Sequence, residues 1–155
     1  MSQQLHSDLD WMHPNPFTLT IRVASEDTDR LGHTNNVVYL KWFEDISWRH
    51  IEPLGMGWNV QDELGKAMAI VRTEIDYLAS SYAGDELILG TWMTQSDQKL
   101  NSSRMFQLIR LADHKTLVKA LSNYVCIDLK TGKPTRMPKV FCEAHAKGLA
   151  SWQSR

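Results

Sequence analysis

Apolar and polar residues alternate from Phe17 to Ala24 (FTLTIRVA), a period of two that predicts a β-strand. The period then changes. From Val38 onwards Tyr39, Leu40, Phe43, Ile46, Ser47, His50, Ile51 and Leu54 recur at spacings of three and four, while Lys41, Asp45, Arg49 and Glu52 take the opposite side. This is the pattern of an amphipathic helix with a broad apolar face. It begins near Asn36 and spans residues 36–52, with Pro53 and Gly55 as stop signals. Gly57 to Lys66 reads as a short irregular or helical connection.

Four strand-like segments follow: Met68 to Tyr77, Glu86 to Gln98, Ser102 to Ala112 and Thr116 to Asp128. Asp113-His114-Lys115 supplies a tight turn between the last two, and Lys130 to Pro134 another after them. Val140 to Ala150 predicts a short terminal helix, and Pro14 and Pro16 close an N-terminal tail, residues 1–16, expected to be irregular. Strand, long helix and four consecutive strands make an α+β order. A single helix with so broad an apolar face is buried only if the antiparallel sheet curls around it. Neither repeats nor linkers interrupt the chain, so 1–155 reads as one domain.

Composition narrows the function. Lys and Arg number 17 against 18 Asp and Glu, scattered along the chain, which leaves no electrostatic footprint for nucleic acid or an anionic membrane. The start of the chain lacks a basic region followed by an apolar stretch, and no segment approaches the roughly 18 apolar residues of a membrane span. Cys126 and Cys142 are not closely spaced and fit buried free thiols in a reducing compartment, so a cytoplasmic location is expected.

Several chemistries find no motif. There is no G-x-S-x-G elbow, no Walker A or dinucleotide fingerprint, and no C-x-x-C or H-E-x-x-H metal pattern, so no metal is expected. His50, His114 and His145 each stand alone and read as solvated or packed side chains. What remains is EDTDRLGHTNNVVY, residues 26–39, which crowds Asp27, Asp29, Gly32, His33, Asn35, Asn36 and Tyr39 ahead of the helix. Asn35 suits an N-cap and Gly32 a left-handed turn. Asp29, His33 and Asn36 need another reason. A helix N-terminus offers unpaired N–H groups and a positive dipole end, suited to a developing oxyanion. A carboxylate beside it can act as general base or nucleophile, and His33 and Asn36 can orient water or a carbonyl.

The pattern D-x-D-x-x-G-H-x-N-N-x-x-Y ahead of an apolar helix resembles the hotdog-fold acyl-CoA thioesterases. It is similar to the branch containing 4-hydroxybenzoyl-CoA thioesterase and the bacterial long-chain and short-chain acyl-CoA thioesterases. Ile75-Asp76-Tyr77 with Gly84-Asp85, Tyr124 to Asp128, and Lys133 to Pro138 resemble later family segments in the same order, so the likeness covers roughly residues 17–145. It implies a hotdog fold, a curved antiparallel sheet of about five strands wrapped around one long central helix. It also implies an acyl-CoA thioesterase that yields free CoA and a carboxylic acid, with CoA part of the substrate and no cofactor.

The family's catalytic carboxylate falls at Asp29, with Asp27 supporting the turn, and His33 and Asn36 are auxiliary candidates. Ser80 departs from the proline many relatives carry there. Self-association as a homodimer or a dimer of dimers is implied, with Glu74 a candidate contribution from a second chain. Lys99, Ser102, Ser103, Arg104 and Arg136 are candidate contacts to the CoA phosphates, and Trp58 a candidate wall of an acyl pocket. The alternative is a non-catalytic acyl-CoA-binding or regulatory protein on the same fold.

Overall fold

The computed structural model describes residues 8–153. Along the chain run β1 (Phe17–Arg22), a 3-10 turn (Ser25–Asp27), α1 (Asn36–Leu54), α2 (Trp58–Leu64), β2 (Lys66–Tyr77), β3 (Glu86–Ser96), β4 (Asn101–Arg110), β5 (Lys115–Asp128) and α3 (Lys139–Gln153). The strands form one antiparallel sheet in the order β1-β3-β4-β5-β2. β1 and β2 are consecutive in sequence yet stand at opposite edges. The segment joining them therefore crosses the whole sheet, and that segment is α1 with α2. Register shifts at Ile70/Arg72, Met93/Gln95 and Leu108/Ile109 mark irregularities that bend and twist the strands. This is the hotdog arrangement: a curved sheet wrapped around α1.

The packing follows the helical period. Tyr39, Trp42, Phe43, Ile46 and His50 of α1 are buried. The first four meet Leu87, Leu89, Phe106, Leu108 and Val118 of the sheet, the rings of Phe43 and Phe106 stack 4.5 Å apart, and His50 stacks on Phe17. The two ends of α1 are chemically specified. Asn35 Oδ1 accepts from the Val37 N–H, and Gly55, at φ 96°, closes the C-terminus in the left-handed conformation that glycine tolerates. The helix runs to Leu54, past the expected stop at Pro53.

Other boundaries shift for local reasons. β1 ends at Arg22, earlier than the alternation through Ala24 predicts, because the Ala24 N–H is taken by Asp27 Oδ2. β3 ends at Ser96 where Asp97 Oδ1 accepts from the N–H groups of Lys99, Leu100 and Asn101, fixing the turn into β4. α3 is longer than its predicted 140–150 span. It packs on β3 beside the end of α1, where Gly148 lies close to Met93 and Leu54, and Trp152 Nε1 donates to the Met93 carbonyl. α1 is thus accompanied by a second substantial helix.

Cys126 is buried as expected, whereas Cys142 is half-buried and donates its Sγ–H to the Gln98 carbonyl. No helix among the described residues is long and apolar enough to cross a membrane.

The described part of the tail, from residue 8, is irregular and well anchored. It lies on the sheet face opposite α1. The Met12 N–H donates to Gln107 Oε1, Gln107 Nε2 donates to the Asp10 carbonyl, and Trp92 Nε1 donates to the Pro14 carbonyl. Leu9 packs with Ile88 and Ile109, and Trp11 meets Trp92 edge-on. Gly90 makes room for this strap, since a Cβ there would come within 2.6 Å of the Trp11 ring and 3.0 Å of Pro16. Gly90→Val is expected to dislodge the strap and cost about 1–3 kcal/mol through overpacking. Limited proteolysis should then cut ahead of β1 while circular dichroism shows the sheet retained.

Candidate active site

The stretch between β1 and α1 folds as a compact loop held by its own backbone. Thr28 and Thr34 form a bridge, the Asp29 N–H donates to the His33 carbonyl, the Gly32 N–H to the Asp29 carbonyl, and the Asn35 N–H to the Asp27 carbonyl. Gly32 sits at φ 79°. The two aspartates divide their work. Asp27 turns inward and its Oδ2 caps Ala24. Asp29 is exposed, and one carboxylate oxygen, Oδ1, accepts from the Leu31 N–H at 2.8 Å.

This loop is fastened to the segment after β2. Thr34 is buried, its N–H donates to the Ser81 carbonyl, and the hydroxyls of Thr34, Ser81 and Tyr39 share hydrogen bonds. The His33 ring stands edge-on to Tyr82 at 5.1 Å, with Nδ1 3.5 Å from Ser80 Oγ. Between loop and segment lies a cavity of about 520 Å³ lined by Asp29, His33, Asn36, Tyr39, Tyr77 and Ser80, among others. The fold thus brings together all three residues singled out for chemistry. It adds Tyr77 and Ser80 from the end of β2 and beyond, which the sequence pattern did not connect with the loop.

At the helix start, Asn35 takes the Val37 N–H with its side chain and the Val38 N–H with its carbonyl. The Asn36 N–H has no hydrogen-bond partner among the described residues. It is the donor left facing outward at the positive end of α1.

A second cavity of about 410 Å³ lies between α1 and the sheet, reached by Leu40, Phe43, Ser47 and Ile51 from the helix and by Thr73, Ser122 and Tyr124 from the strands. It corrects several expectations. Ser102, Ser103 and Arg104 are buried strand residues that line this interior space, because β4 begins at Asn101 and carries them under α1. They do not offer a surface to phosphates. Lys99 and Arg136 are exposed, and the Met137 N–H to Lys99 carbonyl bond brings their segments together. They sit near the Lys66 end of β2, with Asp29 beyond its Tyr77 end. Trp58 is half-exposed and packs edge-on against Trp48. Trp48 lines the cavity and Trp58 does not. Glu74 is exposed on β2 and pairs with Arg72.

His50 and His145 are both buried. Burial first, and the charge of Arg104 second, lower the pKa of His50 to about 3 and that of His145 to about 4, with Asp97 partly opposing the shift for His145. Both are therefore neutral in the folded protein near neutral pH. A histidine depressed below its unfolded value of 6.5 binds protons more readily in the unfolded chain, so its contribution is present above pH 6.5 and is lost as pH falls toward 3–4. Thermal unfolding is expected to drop by about 5 °C or more between pH 7 and pH 5. In His50→Gln the slope over that interval should be shallower; an unchanged slope would count against the assignment.

The model of the thioesterase-like superfamily matches residues 23–145. The chain is 30% identical over 115 residues to the long-chain acyl-CoA thioesterase FadM of Escherichia coli, covering 73% of this chain and 84% of that one. It is 27% identical over 129 residues to the acyl-CoA thioesterase YbgC of Haemophilus influenzae, covering 83% and 93%. Among solved structures, a Staphylococcus aureus protein in complex with CoA superposes with a TM-score of 0.82 at 19% identity, over 94% of this chain and 91% of that one.

Proposed function

Since the chain belongs to the thioesterase-like superfamily, we propose that it hydrolyses an acyl-CoA thioester at the cavity shared by Asp29, His33 and Asn36. The observation that carries this reading is the convergence itself: an exposed carboxylate, an imidazole and an unpaired backbone N–H meet at the start of α1. The thioester carbonyl lies at the Asn36 N–H, where the dipole and donor stabilise charge developing on its oxygen. Asp29 keeps Oδ1 on Leu31, which orients Oδ2 to take a proton from water as the water oxygen attacks the carbonyl carbon. Collapse of the tetrahedral intermediate breaks the C–S bond, and the departing sulfur takes up the proton, giving CoA and a carboxylic acid. His33, held between Tyr82 and Ser80, positions the water.

The acyl chain runs from that point into the cavity beneath α1. Leu40, one helical turn after Asn36, stands on the same face of the helix and lines it.

Two copies complete the assembly through β2. This strand is an edge of the sheet with Ile70, Val71 and Tyr77 exposed, an arrangement that monomers ordinarily blunt. Antiparallel pairing of β2 with β2 sets the Lys66 end of one copy beside the Tyr77 end of the other. Lys99 and Arg136 of one copy then approach the Asp29 cavity of its mate, where CoA phosphates need cations.

Asp29→Asn and Asp29→Ala are expected to lower kcat about 100-fold or more with KM little changed, as loss of a general base does, read as thiol release from acyl-CoA. Wild-type rates in folded variants would sink the mechanism, and tight binding by the wild type without release would favour a binding protein. Lys99→Glu with Arg136→Glu should instead raise KM several-fold in increasing salt-sensitive fashion, with the protein dimeric by sedimentation. An unchanged KM would remove both residues from the CoA site.

A further inference from the structure

Arg104 is 3% exposed and reaches the cavity beneath α1. Burial lowers the pKa of its guanidinium from the ordinary value, with Tyr124 opposing the shift, and an arginine so displaced still carries its charge near neutral pH. Its Nη1 donates to His50 Nδ1 at 2.8 Å and to Thr91 Oγ1 at 3.2 Å, and the Tyr124 hydroxyl also faces it. Every one of these neighbours is neutral. No Asp or Glu among the described residues forms an ion pair with it. Glu44, the one carboxylate of the cavity wall, lies on the exposed side of α1. Arg110 shows the contrast: less buried, it is held by both Asp85 and Asp113.

A buried charge with no counter-charge is costly, and a dipole or two does not repay its desolvation. A structural tether between α1 and the sheet needs no cation, since a neutral donor would serve His50 and Thr91 equally well. The rest of the wall repeats the message. Around Arg104 stand Ser102, Ser122 and Tyr124, whose side chains share its face of the sheet, whereas the part nearer Asn36 is lined by Leu40 and Phe43. One end of the cavity suits methylene groups and the other an anion. Along α1, His50 lies about 21 Å beyond Asn36 at 1.5 Å per residue, a separation suited to a medium or long chain.

Resting on the thioesterase reading above, we propose that Arg104 receives a carboxylate at the far end of the acyl chain, so that the preferred substrates are CoA thioesters of dicarboxylic acids. The carboxylate displaces cavity water, accepts hydrogen bonds from the guanidinium and from the Ser122 and Tyr124 hydroxyls, and supplies the missing counter-charge. Hydrolysis then releases a free dicarboxylic acid. The reaction that supplies the substrate must activate or shorten an acyl chain already oxidised at its terminal carbon.

The test compares matched pairs of equal length, tetradecanedioyl-CoA against tetradecanoyl-CoA and hexadecanedioyl-CoA against hexadecanoyl-CoA, chains long enough to reach Arg104, by thiol release and by calorimetric binding. The carboxyl-terminated member of each pair should show kcat/KM and affinity about tenfold or more higher, the scale of a charge-assisted hydrogen bond. Arg104→Met should collapse or reverse that ratio, and Arg104→Lys should retain part of it. Equal or better hydrolysis of the methyl-terminated thioesters by the wild type would overturn the proposal and leave the thioesterase reading standing. If neither class were hydrolysed, that reading would fail, and the binding ratio would still decide the role of Arg104. Should Arg104→Met not fold, the wild-type comparison is sufficient.

Discussion

The arrangement depends on burying the apolar face of α1. Its aromatic and branched side chains present more surface than one flat sheet face can cover, and the chain meets this by curling five strands around it. The stacking of Phe43 on Phe106 is the centre of that contact. Because β1 and β2 end at opposite edges, the helix is drawn across the full width of the sheet. Its N-terminus emerges beside the segment that follows β2.

That emergence is what assembles the candidate site. A loop of fewer than ten residues cannot by itself orient a carboxylate, an imidazole and a backbone donor on one space. Here it is over-determined from two sides: its own backbone hydrogen bonds, and the buried Thr34–Ser81–Tyr39 hydroxyl network that ties it to the core. Rigid support of this kind is what catalysis by positioning needs. The same helix then forms the roof of the interior cavity, so the candidate site and that cavity are both built on one element.

Much of this was legible in residue order. The change from period two to period 3.6 located β1 and α1, Asn35 and Gly55 marked the helix ends, and the D-x-D-x-x-G-H-x-N-N cluster marked the site. Legibility failed where side-chain direction depends on pairing. Ser102, Ser103 and Arg104 look like the polar start of a strand, and only the pairing of β4 with β5 reveals that Ser102 and Arg104 face inward beside Tyr124 and Ser122 while Ser103 turns to Asn123. Trp58 followed the helix closely enough to suggest a pocket wall, but its position in α2 turns it onto Trp48 at the surface. The tail gave no periodic signal at all, because an irregular strap satisfies its backbone through side chains such as Gln107 and Trp92 that lie some 80–95 residues away.

Local spacing and local turn residues specify where the strands and helices lie and which short loop carries polar chemistry. Only tertiary folding brings Ser80 and Tyr77 into one cavity with Asp29, puts Lys99 and Arg136 at the far end of the sheet from it, and buries Arg104 under α1 with no Asp or Glu ion pair among the described residues. These are consequences of strand order and register. No local signal encodes them, since the contacts join residues separated by tens of positions and are fixed only when the sheet closes around its helix.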